Sequence, residues 1–275
     1  MTKPPTILIF DSGLGGLTVF RETVKTRPDA SYLYVADDAF FPYARRSEAE
    51  LVGRVVPLME ELVGVHAPEL VVIACNTAST LVLPHLRARF TVPFVGTVPA
   101  IKPACLASRS RLVSVLGTEA TVKREYTRAL IRDFGQGCDV TLVGAAQLAA
   151  IAEAALRNEA VNDAAVAKEI APSFVTADDG RRTDTVVLAC THYPLLFDRL
   201  VRLAPWPVSW VDPAPAIARR MTDLIGRAAT DGASGGGAGI IFTSGKAPPP
   251  PLAAALAQFG LAPLCHAGGS LTGVA

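Results

Sequence analysis

Nine short apolar runs punctuate the chain, and between most of them the pattern changes to helical spacing. The runs are "TILIF" (6–10), "YLYVA" (32–36), "LVVIA" (70–74), "PFVGT" (93–97), "RLVSVL" (111–116), "DVTLV" (139–143), "DTVVLA" (184–189), "PVSWV" (207–211) and "GIIFTS" (239–244). Several are apolar almost throughout, as strands covered on both faces must be. The stretches "SEAELVGRVVPLMEELVGV", "TVKREYTRALIRDF" and "PAIARRMTDLIGRA" carry the wider spacing of amphipathic helices. Strand alternating with helix predicts an α/β fold of mainly parallel sheets flanked by helices.

In such sheets ligands bind beyond the carboxyl ends of the strands, where loops lead into helices. Three of these junctions are polar: Asp11 and Ser12 in "IFDSGLGG", Cys75, Asn76 and Thr77 in "VIACNTAST", and Cys190, Thr191 and His192 in "VLACTHYPLL". The last two share one plan, an apolar run, then Ala, then Cys. They lie 190 − 75 = 115 residues apart, about the size of one small α/β domain. That spacing predicts two similar halves, each presenting a cysteine at an equivalent strand end of a shared cleft. Proline-rich segments near 98–106 and 205–213 mark the crossings. The expected domains are therefore 1–98 with 208–275, and 99–207. "DGASGGGAG" (231–239) reads as a flexible surface loop and "APPPP" (247–251) as a stiff entry to a last helix.

Composition narrows the classes. Half of the residues are hydrophobic and the formal net charge is only +1, so a sizeable core is available and no global field points to nucleic acid or a membrane surface. "MTKPPTILIF" reads as a first strand, too short an apolar run for a signal or a membrane span. The five cysteines are odd in number, widely spaced and without a C-x-x-C. This argues against a disulfide framework or a metal site and for reduced thiols in a cytoplasmic protein.

Each candidate has a plainer alternative. Free cysteine is usually core, and Cys105, Cys138 and Cys265 take that reading. Cys75 and Cys190 do not, because each ends a strand, has polar neighbours and precedes a helical stretch that would favour thiolate. Two such thiols suit removal of a proton from one side of a carbon and its return on the other. Asp11 and Ser12 could simply cap a helix, but Gly13, Gly15 and Gly16 beside them offer bare backbone N–H groups to an anion. Their spacing fits no nucleotide loop, and a substrate carboxylate or amine suits them better. His192 beside Cys190 is a proton partner, whereas His66, His85 and His266 lack such company. In "FFPYARRS", Pro42, Tyr43 and Ala44 form a turn before a helix, with Ser47 as its cap and Arg45 and Arg46 facing solvent. Glu153 lies on an Ala-rich helix, where a solvent-facing carboxylate is the default.

Together "FDSGLGGLTV", "FPYARRS", "VIACNTAST", "VGTVPAIKPA", "VVLACTHYPLL" and "FTSG" resemble the glutamate racemases of the aspartate/glutamate racemase superfamily. The resemblance spans residues 6 to about 245. It implies cofactor-independent inversion of the α-carbon of glutamate by two bases, with no metal, and D-glutamate delivered to peptidoglycan. It implies catalytic roles for Cys75 and Cys190, assisted by Asp11, His192 and Glu153. Cys75 would act on the D-enantiomer and Cys190 on the L-enantiomer. Substrate contacts carry over to Asp11, Ser12, Pro42, Tyr43, Ala44, Asn76, Thr77, Thr191 and His192. The partner implied is a small-molecule substrate, with no nucleic acid and no membrane, on a homodimer.

The chain departs from the family pattern in places. Ala44 replaces the usual glycine, "DDAFFPY" puts Asp38 and Phe40 on the rim, and Pro213 stands where serine is common. Alternative readings are an aspartate racemase, a non-catalytic amino-acid-binding regulatory protein, and a cysteine hydrolase that needs one thiol.

Overall fold

The computed structural model describes residues 4–135, 137–227 and 236–264. Cys265, His266 and the first part of the expected surface loop lie outside the described residues. The chain divides into two compact units, Met1–Thr97 with Ala214–Ala275, and Val98–Pro213.

In chain order the first unit begins with β1 (Thr6–Asp11), α1 (Leu17–Thr26), β2 (Ser31–Ala36), α2 (Glu48–His66), β3 (Leu70–Ile73), α3 (Asn76–Leu81), α4 (Leu83–Arg89) and β4 (Phe94–Gly96). The second unit holds α5 (Ile101–Ala107), β5 (Leu112–Gly117), α6 (Glu119–Lys123), α7 (Glu125–Phe134), β6 (Asp139–Gly144), α8 (Leu148–Leu156), α9 (Asp163–Ile170), β7 (Thr185–Ala189), α10 (Phe197–Leu203) and β8 (Ser209–Val211). The first unit resumes with α11 (Ala214–Ile225), β9 (Ala238–Phe242), α12 (Pro250–Gln258) and β10 (Ala262–Pro263).

The first sheet has the order β10-β9-β2-β1-β3-β4 and the second β6-β5-β7-β8. All pairings between these strands are parallel. The segment β2-β1-β3-β4 thus has the same plan as β6-β5-β7-β8, and the strands that lead to Cys75 and Cys190 are equivalent members of it. Strand β8 pairs with β7. Residues from 208 to 213 therefore belong to the second unit, and the return crossing lies later than the expected residue 208.

Each sheet is covered on both faces. Leu8, Phe10, Leu33, Val35, Val71 and Ile73 pack with Leu51, Val55, Met59 and Leu62 of α2. The alternate residues Ile7, Ile9, Tyr34 and Val72 are equally buried, and α1 packs against α11. In the second unit Leu116, Val186 and Leu188 meet α8 and α9, while Val113, Val115, Val187 and Ala189 meet Ile101, Ala104 and Cys105 of α5. Each such side chain contributes roughly 1.5–3 kcal/mol when removed from water.

One expectation fails locally, and one element was not foreseen. The helix expected over 121–134 is two helices, broken at Arg124, whose ψ of 142° is extended. Thr127 explains the break in part: its hydroxyl donates to the Thr121 carbonyl at 2.7 Å, capping the first piece from the side. Strand β10 is only two residues long and ends in proline, which strands seldom contain.

Candidate active site

In the first unit the site begins where β1 and β3 end. Asp11 is fully buried, and its Oδ2 accepts from the backbone N–H groups of Gly13 (3.2 Å) and Gly16 (3.1 Å). The glycine loop does bind an anion, but that anion is the Asp11 carboxylate, not a free one. Neither Asp11 nor Ser12 caps α1, whose N-cap is Gly16. Glycine is needed at 16 for close approach, since a Cβ there would lie 2.8 Å from both Ala74 Cβ and Tyr34 Oη.

Cys75 is the N-cap of α3, 6% exposed, with its thiol directed to Ser12 Oγ at 3.6 Å. Asn76 and Thr77 follow, each 4% exposed. Neither Oδ1 nor Nδ2 of Asn76 finds a hydrogen-bond partner among the described residues. A buried amide left unmatched costs about 1–3 kcal/mol. Such a group is ready-made for a carboxylate or ammonium brought by a substrate.

The Pro42–Ala44 segment forms a tight turn before α2, which Ser47 caps through a reciprocal pair with Glu50. Tyr43 is buried in the same apolar cluster as Cys75, and its hydroxyl donates to Asp37 Oδ2 at 2.6 Å. Burial, then the adjacent Asp37 carboxylate, pushes the phenol well above the ordinary tyrosine range, so it stays a neutral donor. Among described non-glycine residues only Ala67, Arg111 and Asn158 have positive φ. Ala44 therefore sits in backbone open to any residue. Arg45 is exposed as expected, but Arg46 is half-buried, stacked 4.1 Å over the Phe40 ring.

In the second unit Cys190, Thr191 and His192 follow β7, all at least nine-tenths buried. The turn Tyr193–Leu196 follows them, and α10 begins only at Phe197. The helix start expected directly after Cys190 is thus a single tight turn. His192 Nδ1 lies 3.8 Å from Cys190 Sγ, and its Nε2 lies 3.0 Å from Glu153 Oε1. Glu153, on α8, is 8% exposed and also accepts from Arg157 Nη1 at 3.4 Å. The solvent-facing default for Glu153 is therefore wrong: its carboxylate is buried against His192.

The sequence reading missed three features. The register pairs Phe10 with Ile73 and Gly117 with Ala189. Thr118 follows its strand end as Ser12 follows Asp11 at the end of β1, and it joins Thr121 through a 2.9 Å hydroxyl contact. Tyr193 is buried near Cys190 as Tyr43 is near Cys75, with a phenol raised first by burial and then by that thiol. Asp37 is a fully buried carboxylate that gathers Tyr43, Arg54 and Thr243. The only sequence signal for Asp37 was its place at the end of "YLYVA".

Among the described residues no three or more His, Cys, Asp or Glu side chains are grouped to hold a metal, and no helix is long and apolar enough to cross a membrane. Cys105 takes its expected core place and Cys138 packs half-buried against it, with a 3.5 Å bond from the Cys138 thiol to the Cys105 carbonyl. Burial, then Cys138, pushes the Cys105 thiol up to about 12, far from reactive.

The chain is similar to known proteins over most of its length. The glutamate racemase of Brucella canis is 59% identical over 220 residues, 80% of this chain and 79% of that one. Escherichia coli glutamate racemase, solved with L-glutamate and the activator UDP-MurNAc-Ala, is 38% identical with a TM-score of 0.83, covering 96% of this chain and 100% of that one. Glutamate racemase from Aquifex pyrophilus is 28% identical with a TM-score of 0.68, covering 92% and 94%. The Asp/Glu/Hydantoin racemase family matches residues 14–221, and with three quarters of its length inside that match the chain belongs to this family of racemases.

Proposed function

We propose that this protein interconverts L- and D-glutamate without a cofactor, with Cys75 and Cys190 acting on opposite faces of one α-carbon. The observation that carries this reading is the repeated plan: two equivalent strand ends, each with a buried cysteine and a buried carboxylate within the same half. Relatives named glutamate racemase, at 59% and 38% identity, support glutamate over aspartate.

One cysteine enters as thiolate and takes the α-proton, so a C–H bond breaks as an S–H bond forms. The electron pair passes into the carboxylate as an enediolate. The other cysteine, entering as thiol, gives its proton to the opposite face. Turnover leaves the pair with protonation reversed, ready for the other enantiomer. Asp11 serves the Cys75 half and the His192–Glu153 pair the Cys190 half. The weak acidity of the α-proton is met by fixed donors around the carboxylate, with Asn76, Thr77 and Thr191 as the candidates. The D-glutamate formed would serve peptidoglycan synthesis in the cytoplasm.

The test is loss of the circular-dichroism signal of L-glutamate with purified protein and no added cofactor, run in D₂O. Racemisation with one deuterium incorporated per inversion supports the reading. Turnover by Cys75→Ala or Cys190→Ala at the unsubstituted rate would remove the two-base claim. An unchanged signal with bound glutamate would make the protein a binder.

A further inference from the structure

Asp37 lies outside every residue assigned above to proton transfer or substrate contact, yet four segments of the first unit converge on it. Its backbone N–H donates to the Asp11 carbonyl at 2.9 Å, fixing the end of β1. Its side chain accepts from the Tyr43 hydroxyl at 2.6 Å, from Arg54 Nη2 at 2.7 Å and Nε at 3.2 Å, and from the Thr243 hydroxyl at 2.6 Å. Tyr43 belongs to the substrate turn, Arg54 to α2, and Thr243 follows β9, two hundred residues along the chain. Next to it, Asp38 binds the backbone N–H and hydroxyl of Ser244, so "DD" and "TS" close on each other. The carboxylate is fully buried and the Arg54 side chain 13% exposed.

A buried ion pair is weak evidence of stabilisation, because desolvation offsets most of its attraction. Its value is geometric: a planar guanidinium and carboxylate admit few arrangements. We infer that the Asp37–Arg54 pair is a positioning clamp, which holds the Tyr43 turn and the end of β1 in place around Cys75 and so shapes the half-site that receives the substrate. Its kinetic consequence rests on the glutamate-racemising reading; its structural consequence does not.

The experiment therefore has two arms. In the first, alkylation of Cys75 and Cys190 by iodoacetamide is followed by peptide mass spectrometry in the same molecule. Asp37→Asn removes the carboxylate that Arg54 meets through two hydrogen bonds, so the Cys75-to-Cys190 labelling ratio should rise about tenfold. In the second arm, KM for glutamate should rise about tenfold while kcat stays within about threefold, the pattern of lost substrate binding. Arg54→Lys, which keeps the charge, should stay nearer the unsubstituted protein than Arg54→Met. If Asp37→Asn does not fold, Tyr43→Phe and Thr243→Val, which each delete one bond to the same carboxylate, decide by moving the ratio in the same direction.

An unchanged labelling ratio in a folded variant overturns the clamp, as does equal acceleration at both cysteines, which would mean general loosening. An unsubstituted protein that fails to racemise glutamate overturns the proposed function, and the labelling arm then decides the clamp by itself.

Discussion

Glu153 Oε1 and His192 Nε2 stand 3.0 Å apart with both side chains buried, and this pairing fixes which ring nitrogen faces Cys190. A carboxylate only accepts, so the hydrogen must sit on Nε2. In the neutral ring Nδ1 then carries the lone pair, 3.8 Å from the Cys190 sulfur. On the proposed mechanism the histidine would take a proton from that thiol and leave imidazolium beside thiolate, with Glu153 stabilising the charge.

Glu153→Gln keeps the volume and an oxygen able to accept from Nε2, but removes the negative charge that would stabilise imidazolium beside a Cys190 thiolate. We expect kcat to fall roughly 100-fold with KM nearly unchanged. Because racemisation has an equilibrium constant of one, kcat/KM must fall equally from both enantiomers. Steady-state kinetics from each enantiomer check this, and a kcat within twofold of the unsubstituted protein would remove Glu153 from the proton path.

Asn76 is buried with both polar atoms of its amide unmatched among the described residues, which loads a binding group at the expense of folding. Asn76→Ala should therefore separate function from stability. Glutamate affinity should weaken by about 1.5–3 kcal/mol, roughly 10- to 150-fold, while the melting temperature holds or rises. Calorimetric titration with D-glutamate and a thermal melt decide it. A lower melting temperature with unchanged affinity would make Asn76 a purely structural residue.

What the sequence made legible was what depends on local pattern. Strands β1 to β9 were visible because their apolar runs are short, continuous and separated by helices. The two cysteines stood out because each directly follows an apolar run and is itself followed at once by polar residues. What stayed hidden depends on which surface another segment covers. Glu153 reads as exposed on α8 because nothing local shows that the turn after Cys190 covers it. Asp37 gains its role from Thr243, brought back by β9 across most of the chain. The glycines after Asp11 do signal anion binding, but no spacing rule says the anion is the preceding side chain.

Gly16 has a helical φ of −62°, so alanine suits its backbone and only space forbids it. An added methyl would meet Ala74 Cβ and Tyr34 Oη at 2.8 Å, and Ala74 immediately precedes Cys75. Gly16→Ala should cost about 1–3 kcal/mol by overpacking and move the N–H that holds Asp11 Oδ2. Activity should fall more than the population of folded protein does. Chemical denaturation beside kinetics checks this, and full activity in the variant would show that the Asp11 loop tolerates displacement.

Asp184 tests stability at the far end of β7 from Cys190. Its carboxylate accepts from Ser108 Oγ (2.7 Å), Arg109 N (2.7 Å), Ser110 N (2.8 Å) and Thr185 Oγ1 (2.9 Å). Burial alone would raise its pKa, but these bonds outweigh burial and bring it down to about 2. The folded value is thus below the unfolded one, about 3.9. The stabilisation is complete above the unfolded value and is lost as pH falls through the folded value. Asp184→Asn presents an amide N–H to donors that need an acceptor, and at neutral pH it should cost roughly 1–3 kcal/mol while leaving kcat unchanged. The gap between the two proteins in urea denaturation should shrink as pH drops from about 4 toward 2. A gap that stays constant or widens over that interval would show that the ionised carboxylate is not what ties the Ser108–Ser110 loop to β7.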